Sequence, residues 1–218
     1  MKFSNLNLGE ELLKALRDEQ YTNPTSIQEK AIPLILEGKD VLGSAQTGTG
    51  KTGAFGIPII QNLLNSQHKK SGQRKISTLI VTPTRELAIQ IGENLSSYSK
   101  YTHLKNTVIF GGVPQGSQVK AVQRGIDILI ATPGRLLDLI NQGFISLNHI
   151  EYFVLDEADR MLDMGFIHDI KKLLALLPSK RQSLFFSATM PNNIKTLSEQ
   201  ILYKPEKILR LKQNCYQD

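Results

Sequence analysis

Short apolar runs alternate along this chain with segments whose apolar positions recur at helical spacing. The runs "DVLGSA" (40–45), "ISTLIVTP" (76–83), "NTVIFGG" (106–112), "IDILIATP" (126–133), "YFVLDEAD" (152–159), "SLFFSAT" (183–189) and "KILRL" (207–211) read as strands. They are rich in Ile, Val, Leu and Phe and apolar on both faces, as a buried parallel sheet requires. Between them lie predicted helices over 50–65, 85–100, 116–124, 134–142, about 160–177 and 192–202. Regular strand–helix alternation predicts a doubly wound α/β fold, a parallel sheet with helices on both faces. Two helices precede it. "SNLNLGEELLKALRDEQ" (4–20) carries Leu8, Leu12, Leu13 and Leu16 on one face, and "TSIQEKAIPLILEG" (25–38) stops at Gly38. The predicted division is therefore 1–38 for the appended helices and 39–211 for the sheet unit.

Composition narrows the setting. Of 218 residues 40% are hydrophobic, enough for a sizeable core. The formal charge of +6 favours acidic partners, nucleic acid first. Cys215 is the single cysteine, so no internal disulfide forms, which fits a reducing compartment. No stretch approaches the roughly 20 apolar residues of a membrane span, and the acidic N-terminus is not a signal peptide. A soluble cytoplasmic protein is expected. The basic loop "NSQHKKSGQRK" (65–75) reads as a solvated loop rather than a nucleic-acid contact. His68, His103, His149 and His168 have no metal-ligand spacing, and Met161 and Met164 are expected to pack behind the acidic segment.

The chemistry concentrates where strands end. "SAQTGTGKT" (44–52) follows a predicted strand and opens a helix, the place of a phosphate-binding loop. Gly48 and Gly50 let backbone N–H groups turn toward phosphate oxygens, Lys51 would reach the β- and γ-phosphates, and Thr52 would ligate Mg²⁺. Ala45 stands where the common pattern has glycine; that position needs only a small side chain. Asp156 ends the apolar run of "YFVLDEAD" and would hold Mg²⁺, with Glu157 placed to orient or deprotonate the attacking water.

Together these residues resemble the first RecA-like domain of the DEAD-box ATP-dependent RNA helicases. "YTNPTSIQ" (21–28) looks like the Q motif, with Phe3 as its upstream aromatic. "AQTGTGKT" (45–52) is motif I in the family's own form, alanine included. "PTRELA" (83–88) is similar to motif Ia, Gly111-Gly112 to the glycine doublet, and "TPGR" (132–135) to motif Ib. "DEAD" (156–159) and "SAT" (187–189) match motifs II and III. The details are similar to those of the short bacterial members. Gln20 departs from the pattern: the family has glycine there, and the change is expected to affect only a turn.

The resemblance implies a RecA-like sheet and a set of roles. Ala45, Gln46, Thr47, Gly48, Thr49, Gly50, Lys51 and Thr52 would hold the ATP phosphates, and Thr52 and Asp156 would hold Mg²⁺. Gln28 would read adenine, with Tyr21 beside it in the same motif and Phe3 stacking on the base. A glutamine at a helix start also serves as a plain cap, and Phe3 also serves as core filling. Arg85, Gly111, Gly112, Thr132 and Arg135 would bind the RNA backbone without sequence readout. Arg85 could alternatively pair with a nearby acid of its own helix. Ser187 and Thr189 would couple the two sites through Asp159, or merely hydrogen-bond strand-end backbone. The resemblance also implies a second RecA-like domain, with motifs IV to VI, which these 218 residues do not contain; residues 212–218 correspond to the start of the interdomain linker. Alone, the chain is expected to be a monomer with little turnover. A DNA-translocating helicase and a nucleotide-binding module without turnover are the rival readings.

Overall fold

The structure, a computed structural model, describes residues 1–46, 48–66 and 74–208. Thr47, most of the basic loop with His68, residues 209–211 of the last predicted strand, the expected linker and Cys215 lie outside the described residues.

After a short 3₁₀ turn at Phe3–Asn5 come α1 (Glu10–Asp18) and α2 (Ser26–Leu36). The alternation then runs β1 (Val41–Ser44), α3 (Lys51–Asn65), β2 (Thr78–Val81), α4 (Arg85–Tyr98), β3 (Asn106–Ile109), α5 (Gly116–Gln123) and β4 (Ile128–Ala131). It continues α6 (Pro133–Asn141), β5 (Tyr152–Leu155), α7 (Ala158–Asp163), α8 (Ile167–Leu176), β6 (Gln182–Ser187), α9 (Asn192–Ile201) and β7 (Glu206–Ile208). The strands form one seven-stranded sheet in the order β3-β4-β2-β5-β6-β1-β7, with every pairing parallel.

The central strands feed both faces. In β2, Ile80 packs with the N-terminal layer, and Leu79 and Val81 pack with the opposite layer. One layer joins the sheet to α1, α2, α3 and α4 through Leu12, Leu16, Ile32, Ile35, Phe55 and Ile60. The other joins it to α6, α7, α8 and α9 through Leu136, Met161, Ile170, Leu173 and Leu197. The N-terminal helices thus share a core with α3 and α4, so a boundary at residue 38 cuts through common packing. Truncating a fully buried aromatic of this core, such as Phe55 or Phe186, costs about 3–5 kcal/mol. Gly43 has a packing reason. A Cβ there would lie 2.5 Å from the Phe186 ring, which crosses β1 to meet Phe55 at 5.5 Å between ring centroids.

The turn after α1 explains the departure at position 20. Tyr21 N–H donates to Leu16 C=O at 2.8 Å and Gln20 N–H to Arg17 C=O at 3.0 Å, the paired bonds of a Schellman C-cap. That cap needs a left-handed residue, and Gln20 has φ 58°. Without a Cβ, glycine would meet this requirement with no strain; glutamine is held there at a cost of roughly 1–2 kcal/mol.

Candidate functional site

The loops past the carboxyl ends of the strands carry the candidate residues, and the strand order sorts them. β5, β6 and β1 are neighbours and present the acidic segment, Ser187 and the phosphate loop. β2, β4 and β3 are neighbours on the other side and present Arg85, Thr132 with Arg135, and the glycine doublet. The two groups meet where β2 pairs with β5, and Asp156 N–H donates to Val81 C=O at 2.9 Å.

In the first group, Ala45 is buried and its N–H donates to Ser187 C=O at 3.3 Å, which ties the loop to β6. Thr49 Oγ1 donates to Gln46 C=O at 2.7 Å. Gly48 and Gly50 take φ of 83° and 89°, left-handed values that turn the backbone into α3. Lys51 opens that helix and is buried. Its Nζ lies 3.2 Å from Glu157 Oε1 and 3.3 Å from Asp156 Oδ1. Thr52, half-buried, follows it.

Glu157 sits in the left-handed region, φ 55° and ψ 49°, at the start of α7. Strain in a non-glycine residue costs about 1–3 kcal/mol and marks sites where side-chain aim matters. The pose turns its carboxylate between Lys51 and Arg160, whose Nη1 is 3.7 Å from Oε2. Burial pushes the Asp156 carboxyl above its ordinary range, with the Lys51 cation opposing and the Glu157 anion adding to the rise. Asp156 Oδ1 is buried and faces the Lys51 ammonium at 3.3 Å without a well-aligned hydrogen bond. Such an oxygen suits a cation or a water bound to one. Among the described residues no three His, Cys, Asp or Glu side chains come together to hold a metal. One carboxylate with the Thr52 hydroxyl fits instead an ion that keeps waters and phosphate oxygens as its other ligands, the habit of Mg²⁺.

Ser187 and Thr189 gather on Asp159 rather than on Lys51. Thr189 donates to Asp159 Oδ2 from its N–H at 2.9 Å and its hydroxyl at 2.8 Å. Ser187 Oγ accepts from Asp159 N–H at 3.2 Å and donates to Thr189 C=O at 2.8 Å. Partial burial raises the Asp159 carboxyl, but the hydrogen bonds from Thr189 and Ser187 outweigh it and hold the group below its ordinary range. Both hydroxyls are thus engaged with Asp159 and the backbone after β6. Met161 packs there as expected, whereas Met164, the C-cap of α7, points outward and is 48% exposed.

The Q-motif residues show a mixed outcome. Gln28 Oε1 accepts from Thr25 N–H at 2.9 Å, so the capping alternative is real. Gln28 Nε2 also donates to Gly50 C=O at 3.1 Å, which binds the helix start to the phosphate loop. An amide has two donor hydrogens and two acceptor lone pairs, so one of each remains. Phe3 is only 3% exposed and stacks on Tyr21 at 6.3 Å between centroids and 20° between planes. Phe3 packs in the N-terminal core, as its core-filling alternative expects; the accessible ring of the pair is Tyr21, 36% exposed.

In the second group, Arg85 is exposed and pairs with no acid of its helix. Its guanidinium lies 4.9 Å over the Phe110 ring. Thr132 is the N-cap position of α6, and its N–H donates to Ile109 C=O at 3.1 Å. Arg135 departs from an outward phosphate contact. Its side chain is 13% exposed, Nη2 donates to Val113 C=O at 2.9 Å, and Nε is 3.7 Å from Asp138 Oδ2. Nη1 is buried without a partner. Gly111 and Gly112 are exposed on the loop that Arg135 holds. Sequence reasoning missed Gln118, a buried polar side chain that contacts the same loop; a lone glutamine inside an amphipathic helix gives no distinguishing signal.

With this geometry, similarity to known proteins is informative. The family model described as DEAD/DEAH box helicase matches residues 25–197. The chain is 48% identical over 208 residues to the ATP-dependent RNA helicase CshA of Limosilactobacillus reuteri, covering 95% of this chain and 41% of that protein. It is 46% identical over 206 residues to the DEAD-box ATP-dependent RNA helicase RhpA of Helicobacter pylori, covering 94% and 40%. Its fold superposes on a DEAD box protein from the hyperthermophile Methanococcus jannaschii with a TM-score of 0.87 and 40% identity, over 95% of this chain and 55% of that one. The chain thus spans about two fifths of the length of its curated relatives. By the match over its sheet and phosphate loop, the RecA-like topology and the order of its strand-end residues, this chain belongs to the DEAD/DEAH box helicase family.

Proposed function

We propose that these residues form the ATP-binding half of an ATP-dependent RNA helicase core, a cytoplasmic monomer when isolated. The observation that carries this is the buried meeting of Lys51 with Asp156 and Glu157, at 3.3 and 3.2 Å. A lysine held by two acids at the mouth of a phosphate loop has its charge compensated until phosphates arrive. Phosphate oxygens then take the ammonium, and the acids are freed for a metal and a water. Mg²⁺, bound by Thr52 and Asp156 with the nucleotide's own oxygens, would supply charge neutralisation at the phosphates. Glu157 would then orient or deprotonate the attacking water. The spare donor and lone pair of Gln28 would read the N7 and N6 edge of adenine, with Tyr21 the aromatic nearest to hand.

RNA would lie across the ends of β2, β4 and β3, with Arg85, Gly111, Gly112 and Thr132 toward its backbone and Arg135 bracing their loop from behind through Val113 C=O. Bound nucleotide and RNA would close a second RecA-like domain on this one, and that domain would supply the arginines that complete hydrolysis. The named activity of the relatives supports this assignment. Calorimetric titration of the 218-residue chain tests it. ADP should bind more tightly than GDP, and Lys51→Ala should weaken ADP by about 10- to 100-fold, from the 1.5–3 kcal/mol of a charged hydrogen bond. Equal affinities for ADP and GDP, unaffected by Lys51→Ala, would exclude the assignment.

A further inference from the structure

The polypeptide leaves its last ladder bond in the β3 region at Ile109, whose carbonyl takes Thr132 N–H at 3.1 Å. Phe110 is the first residue past that bond. It follows an edge strand, so no neighbouring strand takes its backbone groups on the free side. Gln118, one turn into α5 and 7% exposed, takes both. Its Oε1 accepts from Phe110 N–H at 3.2 Å, and its Nε2 donates to Phe110 C=O at 3.1 Å. A primary amide presents a donor and an acceptor side by side, which is the pattern an adjacent strand would offer. Three residues on, Arg135 fixes Val113 C=O. The exposed Gly111 and Gly112 are thus slung between two side-chain anchors, with Arg85 stacked on the Phe110 ring at 4.9 Å.

We propose that Gln118 is a positioning residue for RNA: by exchanging two hydrogen bonds with Phe110 it sets the glycine-doublet loop, and through the Phe110 ring the resting place of Arg85, without itself touching RNA. This rests on the RNA reading above. A loop of glycines held at one end only would sample many conformations and lose entropy on meeting a backbone; an anchored one is preorganised. Gln118 is buried behind Phe110, so its removal alters the shape offered to phosphates and not the number of cations facing them.

Salt dependence separates these effects. For single strands, log affinity falls with log salt at about 0.7 per phosphate contact. Binding of fluorescent oligo(U) to the 218-residue chain would be measured across a range of potassium chloride, with circular dichroism to establish folding. Gln118→Met, similar in shape and without either bond, is expected to weaken oligo(U) by about three- to tenfold, the range of net hydrogen-bond contributions, with the wild-type salt slope and unchanged ADP affinity. Arg85→Ala should instead flatten the slope by about 0.7. If Gln118→Met is unfolded, Gln118→Asn, which keeps the amide on a stem too short to reach both groups, makes the same test. Wild-type oligo(U) affinity in the folded variant, or a slope flattened as by Arg85→Ala, overturns the inference. No binding of oligo(U) by the wild-type chain would instead remove the RNA reading on which it stands.

Discussion

Lys51 and Glu157, 106 residues apart in the chain, meet in a buried hydrogen bond of 3.2 Å from Nζ to Oε1. The lysine is on the helix after β1 and the glutamate follows β5, so the contact spans the strand between them. In the proposed site, nucleotide phosphates compete with Glu157 for the lysine. Glu157→Gln removes one of the two anions holding Lys51, so ADP affinity should be retained or slightly raised, while turnover in a two-domain protein is suppressed. Titration calorimetry on the chain and a steady-state ATPase on a two-domain protein check this. Loss of ADP binding in Glu157→Gln would show that the side chain supports the loop rather than the water.

Gln28 carries two duties at once. Gln28→Ala removes the acceptor for Thr25 N–H and the donor to Gly50 C=O. Losing a helix cap costs about 1 kcal/mol, read as a lower melting midpoint. The preference for ADP over GDP should shrink in the same variant. A variant that loses stability and keeps full selectivity would leave Gln28 as a cap alone.

Gln20 is strained at φ 58° in a Schellman turn. Gln20→Gly should stabilise the fold by about 1 kcal/mol, or about 2–4 °C in melting midpoint for a domain of this size. Thermal denaturation measures it. An unchanged or lower midpoint would mean that the glutamine side chain compensates the strain.

The Asp159 cluster makes stability depend on pH. The folded-state carboxyl is held below its ordinary value of 3.8, so its contribution is present above that value and is lost as pH falls through the lowered one. Thr189→Val deletes the hydroxyl donor at 2.8 Å. Because Asp159 is partly solvated, the loss should be only about 1 kcal/mol at neutral pH, and it should shrink as pH falls from about 4 through the lowered folded-state value, below which the carboxyl is neutral in both states. Denaturant titrations at the two pH values check the sign; a cost that grows on acidification would contradict it.

Sheet and phosphate loop are legible in the sequence because their signals are local. A run such as Thr78–Val81 is buried on both sides in the structure, and that alone marks it as a central strand. Gly48, Gly50, Lys51 and Thr52 fall within one short segment, so their spacing survives any error in topology. The side-chain bonds that hold loops are not local. Arg135 looks like an outward cation until Val113 C=O is placed beside it, and Phe3 looks like a free aromatic until Tyr21 covers it. Gln118 meets Phe110 only once α5 packs beside the end of β3. The strained backbone of Glu157 is equally invisible, since the turn from β5 into α7 and not the residue type imposes it.

Steady-state ATP hydrolysis by the 218-residue chain, with and without single-stranded RNA, tests the half-site proposal most directly. Positioning and charge stabilisation dominate phosphoryl transfer, and an arginine finger is worth on the order of 10³–10⁵ in rate. With Lys51, Thr52, Asp156 and Glu157 supplying one side of the site, turnover should be near background and insensitive to RNA, although ADP binds. Robust RNA-stimulated hydrolysis by these residues alone would contradict the proposal and show a complete active site within the chain.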